Sequence, residues 1–334
     1  MIEVDIWHLY REMLRSRLFE EAVTDLWEKG RISGEMHLGT GEEAIIAGVV
    51  SQLEEGDAMA VDHRGTAPFI MRGIDPVLLL LEFLGHPKGL CAGKGGHMHL
   101  FSKEHMAASS GIVGSSGPAA TGFALALKYQ NRKKIAVAFF GEGAMNQGMM
   151  LESMNLASVW KLPVLFVCKD NDWAITTVTN NTIGGNLIDR AKGFGIEGYE
   201  VDGTDVIAVW KVVNEVISKM RNNGGPQFIH ARCVHMEGHL LGDPLLRYYR
   251  NPNMLAEAAD SLKQNPGESV DEVLMLLRKI GGQLKKKFDP LVVTQKKLKD
   301  NAGRLKQIEE EVTKEIEQVV YKTLEIFKGG MKDD

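Results

Sequence analysis

The feature that most constrains the fold is an alternation. Short apolar, strand-like runs recur at 58–62, 134–140, 163–168 and 227–234, and stretches with helical spacing of apolar residues separate them at 41–53, 76–84, 119–129, 148–160 and 206–221. Strands that alternate with helices call for right-handed crossovers, and so for an α/β fold: a doubly wound, mostly parallel sheet flanked by helices. An N-terminal helix is expected over 5–29, from the spacing of Ile6, Tyr10, Met13, Leu14, Leu18, Val23, Leu26 and Trp27, with Gly30 ending it. Residues 171–197 are rich in Thr, Asn and Gly and read as a loop, expected to be mobile without a ligand, as is 240–250.

Beyond Arg250 the sequence turns helical and heavily charged. The reading is an α/β domain over 1–250 and a helical C-terminal extension over 251–334 packed on it. Leu305, Ile308, Val312, Ile316 and Val319 fall on one face of the last helix, as expected for a docking stripe rather than a free coiled coil. The basic run 285–287 reads as a solvated helix face.

Bulk properties exclude several classes of function. A net charge of -5 gives no electrostatic case for nucleic acid or an anionic membrane. No apolar run approaches the roughly 18 residues of a membrane span. The first residues, MIEVDIWHLYREM, lack the apolar core of a signal peptide. Cys91, Cys168 and Cys233 are widely spaced and never paired as CxxC, which argues against a disulfide framework and suits the cytoplasm. Cys168 ends an apolar run and is expected in the core rather than as a nucleophile.

The chemistry is concentrated between Lys134 and Trp173. An apolar strand, IAVAFF, runs into Gly141-Glu142-Gly143, then a polar turn and a helix. Glycines let backbone amides approach an anion closely, and a helix start supplies unpaired N–H groups. A carboxylate between them is placed to hold a hard cation that bridges phosphate oxygens. After 26 residues, enough for one helix and one strand, comes Asp170-Asn171. A crossover of that length brings the carboxyl ends of the two strands together, so Glu142 and Asn171 can converge on one ion, with Mg²⁺ the best fit.

This arrangement, GEGAMNQG followed by DN, resembles the thiamine-diphosphate motif. Over about residues 5–250 the chain resembles the α subunits of the E1 component of pyruvate, branched-chain and acetoin dehydrogenases. HLGTGEEA (37–44), DHRG (62–65), GKGGHMHL (93–100), GIVG (111–114), MMLESMNLASVWKLP (149–163) and EGHLLGDP (237–244) carry the resemblance in order and spacing.

The resemblance implies thiamine diphosphate and Mg²⁺ as cofactors. Glu142, Asn171 and the backbone carbonyl of Trp173 would be the metal ligands. Gly143 and Ala144 would face the diphosphate, with Arg64, His63 and His235 toward its oxygens. Gly111, Ile112 and Val113 would lie against the aminopyrimidine side. His239 would be the histidine near the reacting centre, and His37 a second one toward the substrate. The implied reaction is decarboxylation of a small 2-oxo acid, or cleavage of acetoin, with acyl transfer to a lipoyl group of an E2 acyltransferase. A separate E1 β subunit would supply the glutamate that activates the cofactor, in an α2β2 assembly, so this chain alone is expected to be inactive.

Several positions depart from the family pattern: Glu142 for Asp, Asp170 for Asn, His63 for Tyr, Thr66 for His, His235 for Arg and Leu240 for Ser. Those at 63, 66, 142, 170 and 235 support a rival reading, a cofactor-binding or regulatory paralogue without turnover. A carboligase of the transketolase kind is a weaker third. The pair His97 and His99 reads as loop histidines with backbone partners rather than a metal pair, and Glu237 as an acid/base residue or a solvated loop carboxylate.

Overall fold

The apolar runs become strands because both their faces find a core. In β1 (Ala58–Val61), β4 (Ala136–Gly141), β5 (Val164–Asp170) and β9 (Gln227–Arg232), alternate residues enter two separate clusters. Met59, Val61, Val137, Phe139, Leu165, Val167, Ile229 and Ala231 point to one side. Ala58, Ala60, Ala138, Phe140, Phe166, Cys168 and Phe228 point to the other. This period of two, buried on both faces, is the mark of a sheet covered twice. The computed structural model describes residues 4–130, 133–175, 177–236, 238–241 and 286–330.

With β2 (Phe101–Ser102), β3 (Ala107–Ser109) and β8 (Glu197–Asp202), the sheet has seven strands in the order β2-β3-β1-β4-β5-β9-β8. All its pairings are parallel except β2 with β3. Helices α1 (Ile6–Glu28), α2 (Glu43–Val50), α3 (Thr66–Met71), α4 (Pro76–Phe83) and α8 (Val206–Asn223) contribute to the first cluster. The second is closed by α5 (Ser116–Tyr129), α6 (Gly148–Val159) and α7 (Leu187–Gly193). The fold is therefore the doubly wound α/β sheet expected. The chain leaves β1 toward β3 on one side and returns as β4 on the other, which opens a crevice at the carboxyl ends of β1 and β4.

The N-terminal helix starts on Asp5, whose carboxylate accepts from the N–H groups of Trp7 and His8, and stops before Gly30, whose φ of +69° suits glycine. At the other end, α9 (Pro290–Leu298) and α10 (Ala302–Gly330) are helical. Ile308, Val312, Ile316 and Val319 are buried in the first cluster and Leu305 is half-buried against it, so the stripe docks α10 onto the main body. Arg17 of α1 joins Glu43 of α2 to Asp289, the cap of α9, through bonds of 2.5, 3.1 and 3.2 Å. The expected boundary at 250 and most of 240–250 lie outside the described residues. No described helix is long and apolar enough to cross a membrane.

Residues 171–197 differ from the expected featureless loop. They form a small hairpin of β6 (Trp173–Ala174) and β7 (Thr177–Val178), then α7, and Leu187, Ala191 and Ile196 are buried in the second cluster. Strand β8 was not legible either, because EGYEVD is a polar edge strand with Val201 as its buried residue.

Candidate active site

Six segments end at the crevice: the loop 37–42, the end of β1, the loop 111–114, the turn after β4, the end of β5 and the segment after β9. In the β4–β5 ladder Gly141 lies opposite Lys169, so the next residues, Glu142 and Asp170-Asn171, emerge side by side. Glu142 Oε2 lies 3.4 Å from the Asn171 amide nitrogen, and its Oε1 is 3.3 Å from Thr179 Oγ1. The two residues that the spacing placed together are together.

The polar turn expected between β4 and α6 is a 3₁₀ turn, Glu142–Asn146. Ala144 is buried in the second core cluster, and Gly143 sits between it and Glu142. Trp173 is exposed at the rim, as are Ile112 and Val113.

Glu142 is buried, and burial followed by the nearby Asp170 raises its carboxyl to about 7. Burial pushes Asp170 up, but the hydrogen bond from His230 Nε2 at 2.7 Å, the bond from the Asp172 backbone N–H and the nearby charges of His230 and Arg232 together hold it low. A buried acid beside the Asp170 carboxylate and the Thr179 hydroxyl, with no lysine or arginine paired to it among the described residues, is short of positive charge. That donor set fits a hard divalent cation such as Mg²⁺.

The second part of the site is a group of imidazoles around Arg64. The Arg64 guanidinium is buried and donates to the carbonyls of Leu38 and His239, the latter at 2.8 Å. His37 packs edge-on against His63 and His239, with ring centroids 4.7 and 5.1 Å away. Burial, then Arg64, lowers His37 to about 3 and holds His63 far below the usual histidine range. These rings are neutral at pH 7. His97 carries out the backbone role expected of it, its Nε2 accepting the His37 backbone N–H at 3.2 Å.

Sequence reasoning did not find the network beneath. Lys169 is fully buried, its Nζ 2.6 Å from Glu42 Oε2 and 3.0 Å from Asp62 Oδ2. The other Glu42 oxygen is 2.7 Å from His235 Nε2. Burial opposes each charge, but Asp62 and Glu42 keep Lys169 protonated, and Lys169 with His235 keeps Glu42 ionised. His235, lowered to about 4 by burial and Arg64, thus already has a carboxylate partner. Lys169 and Glu42 together tie the segments that carry His37, Arg64, Asn171 and His239, the last through His235.

Comparison with known proteins follows the same lines. A family model for the dehydrogenase E1 component matches residues 10–274. The α subunit of acetoin:2,6-dichlorophenolindophenol oxidoreductase from Cupriavidus necator is 42% identical over 237 residues, covering 70% of this chain and 71% of that one. The pyruvate dehydrogenase E1 component subunit α from Rhizobium meliloti is 38% identical over 237 residues, with 70% and 68% covered. Its counterpart from Rickettsia felis is 31% identical over 317 residues, with 93% and 88% covered.

Proposed function

This chain belongs to the dehydrogenase E1 component family, and from that premise we propose that it is the α subunit of a thiamine-diphosphate-dependent dehydrogenase of a small 2-oxo acid or acetoin. The observation that carries the cofactor half of this reading is the apposition of Glu142 and Asn171 at adjacent strand ends, with Glu142 buried and paired with no lysine or arginine among the described residues. Glu142, Asn171 and the Trp173 carbonyl would hold Mg²⁺, and Gly143 and Ala144 would lie along the diphosphate. Gly111, Ile112 and Val113 belong to the aminopyrimidine side. Thiamine diphosphate, when bound, supplies the carbanion chemistry that breaks the bond next to the substrate carbonyl.

The chain's own residues prepare that chemistry. Arg64, His63 and His235 form the polar wall toward the diphosphate. Arg64 also fixes the backbone at Leu38 and His239, and so the two histidines assigned to catalysis, His37 and His239. His37, neutral at pH 7, can take part in a hydrogen bond with a substrate hydroxyl and so orient it beside His239. Apolar Ile112 and Val113 help exclude water once covered.

Acyl transfer to the lipoyl group of an E2 acyltransferase, pairing with an E1 β subunit as α2β2, and a place in the cytoplasm complete the reading. The three free thiols support the last of these. A second reading, a cofactor-binding paralogue without turnover, draws on His235, whose Nε2 is engaged by Glu42. Calorimetry of thiamine diphosphate with and without Mg²⁺, for the chain alone and mixed with a β-type partner, separates the two. Mg²⁺-dependent binding in the mixture, followed by turnover of pyruvate or acetoin, supports the first. Binding without turnover favours the second, and no binding by folded protein removes the first and leaves a non-catalytic, regulatory paralogue.

A further inference from the structure

The imidazoles at the crevice have a property that the thiamine reading does not use. His37, His63 and His239 each place a ring nitrogen so that the three lie within 4.8 Å of one another. The ring centroids of His63 and His239 are 5.7 Å apart, which closes the triangle. His63 Nε2 is buried and has no hydrogen-bond partner among the described residues. His37 Nδ1 lies 3.1 Å from His97 Nε2, the nitrogen that accepts the His37 backbone N–H. With His97 Nε2 as the acceptor, His37 keeps its proton on Nδ1 and carries its lone pair on Nε2. An outer hydrogen bond of this kind sets the tautomer of metal-binding histidines.

We propose that His37, His63 and His239 form a three-histidine site for a borderline-soft divalent ion, Zn²⁺ foremost, separate from the oxygen-ligand site at Glu142. Imidazole nitrogens select Zn²⁺, Co²⁺, Ni²⁺ or Cu²⁺ over Mg²⁺. Three protein ligands with an open position are a common zinc arrangement, with ligand nitrogens about 3.4 Å apart for bonds of roughly 2.0–2.1 Å. Modest ring rotations bring the three nitrogens from their present spacing to that one.

The surrounding charges cut both ways. Arg64 Nη2 lies 3.4 Å from His239 Nδ1, and Arg64 and Lys169 both oppose a cation near His63. Burial, then Arg64, keeps His37 and His63 without the extra proton that a metal would have to displace at pH 7. Glu42 and Asp62 offset Lys169 nearby. A rival set, Glu42, Cys233 and His235, has its ligand atoms equally close. It is a poor site, because Lys169 occupies Glu42 and burial pushes the Cys233 thiol well up.

An ion on the three histidines would occupy His37 and His239 and block turnover. That consequence rests on the thiamine reading, whereas the metal site does not. The test is titration of the full chain with CoCl2, read by visible absorption, then displacement by ZnCl2. The expected result is one Co²⁺ per chain with a nitrogen-ligand spectrum, displaced by Zn²⁺ and not by Mg²⁺. His63→Asn and His37→Asn each lower affinity by more than about 100-fold, and His97→Gln by about 10–100-fold, the usual range for an outer-shell partner. Circular dichroism and melting temperature identify which variants keep the parent fold. Failure to bind Co²⁺, affinity unchanged in the folded histidine variants, or a near-ultraviolet thiolate band lost in Cys233→Ser each overturns the site. Calorimetry of thiamine diphosphate with Mg²⁺ on the same metal-free preparation, with and without the β-type partner, is the separate control. Cofactor binding without Co²⁺ binding defeats the inference alone, and the reverse defeats the thiamine reading alone.

Discussion

At the scale of single residues, the site is built from charges whose environment decides their state. Glu20 of α1 is buried and accepts the Gly39 backbone N–H at 2.8 Å, which anchors the loop carrying His37. Burial, partly offset by that bond, raises its carboxyl to about 8. The sign follows directly. Between its ordinary value of 4.5 and about 8, the unfolded chain has released this proton while the folded chain still holds it. The folded state therefore loses stability across that window as pH rises. Glu20→Gln keeps an oxygen for Gly39 and removes the titration. Denaturant unfolding is expected to show the variant more stable than the parent at pH 8.5 by more than about 1 kcal/mol, with the gap narrowing toward pH 4.5. An unchanged gap across pH 4.5–8.5 would contradict this account of Glu20. Gly41 is a different kind of constraint: with φ at +102°, a Cβ there would collide with the Val234 carbonyl. Gly41→Ala is expected to separate loop 37–42 from the His235 segment, read as weaker thiamine diphosphate binding.

At the scale of elements, buried carboxylates organise the loops that the sheet cannot. Glu82 ends α4 with its side chain fully buried, and it accepts three backbone N–H groups. Its Oε2 takes those of Cys91 and Gly93 at 2.7 and 2.8 Å, and Oε1 takes that of Gly95 at 2.7 Å. This holds the turn that carries His97, the partner of His37. Glu82→Gln leaves at least one buried N–H without an acceptor, which costs about 1–3 kcal/mol. Faster amide exchange confined to 91–97, with the sheet still protected, is the expected signature.

Such ties explain what the sequence could and could not tell. Strands β1, β4, β5 and β9 were legible because burial on both faces writes an unbroken apolar run. Their order brought Glu142 to Asn171, so that half of the site was legible from spacing alone. The lysine hub was not, because Lys169 meets Glu42 across 127 residues of chain and no local pattern marks that pairing. Helix α7 escaped because two buried side chains, Leu187 and Ala191, do not make a period. The stripe of α10 was legible because it repeats over many turns. Ile316 is buried in it, and Ile316→Ala is expected to destabilise the protein by about 2–5 kcal/mol in thermal or denaturant unfolding.

At the scale of the whole molecule, the crevice is open on one side in an unusual way. Ile112, Val113, Trp173 and Ile175 stand 61%, 51%, 41% and 49% exposed on loops at the carboxyl edge of the sheet. Ile175 also has φ at +56°, a conformation costly for a β-branched residue. Large exposed apolar side chains at the rim of a polar site, one of them on strained backbone, are what a partner-covered face presents. The E1 β subunit is the occupant that the proposed function calls for, and covering this face would exclude water from the site. The chain alone is then expected to show no turnover of pyruvate or acetoin, and the mixture with its β-type partner to sediment as four chains and turn over one of them. Val113→Asp places a carboxylate in the covered face, where burial without a counter-charge is unfavourable. Because Val113 is half exposed in the lone chain, its melting temperature should stay within a degree or two of the parent while assembly and turnover fall together. Normal assembly of this variant would move the interface away from the crevice, and steady turnover by the lone chain would end the shared-site account.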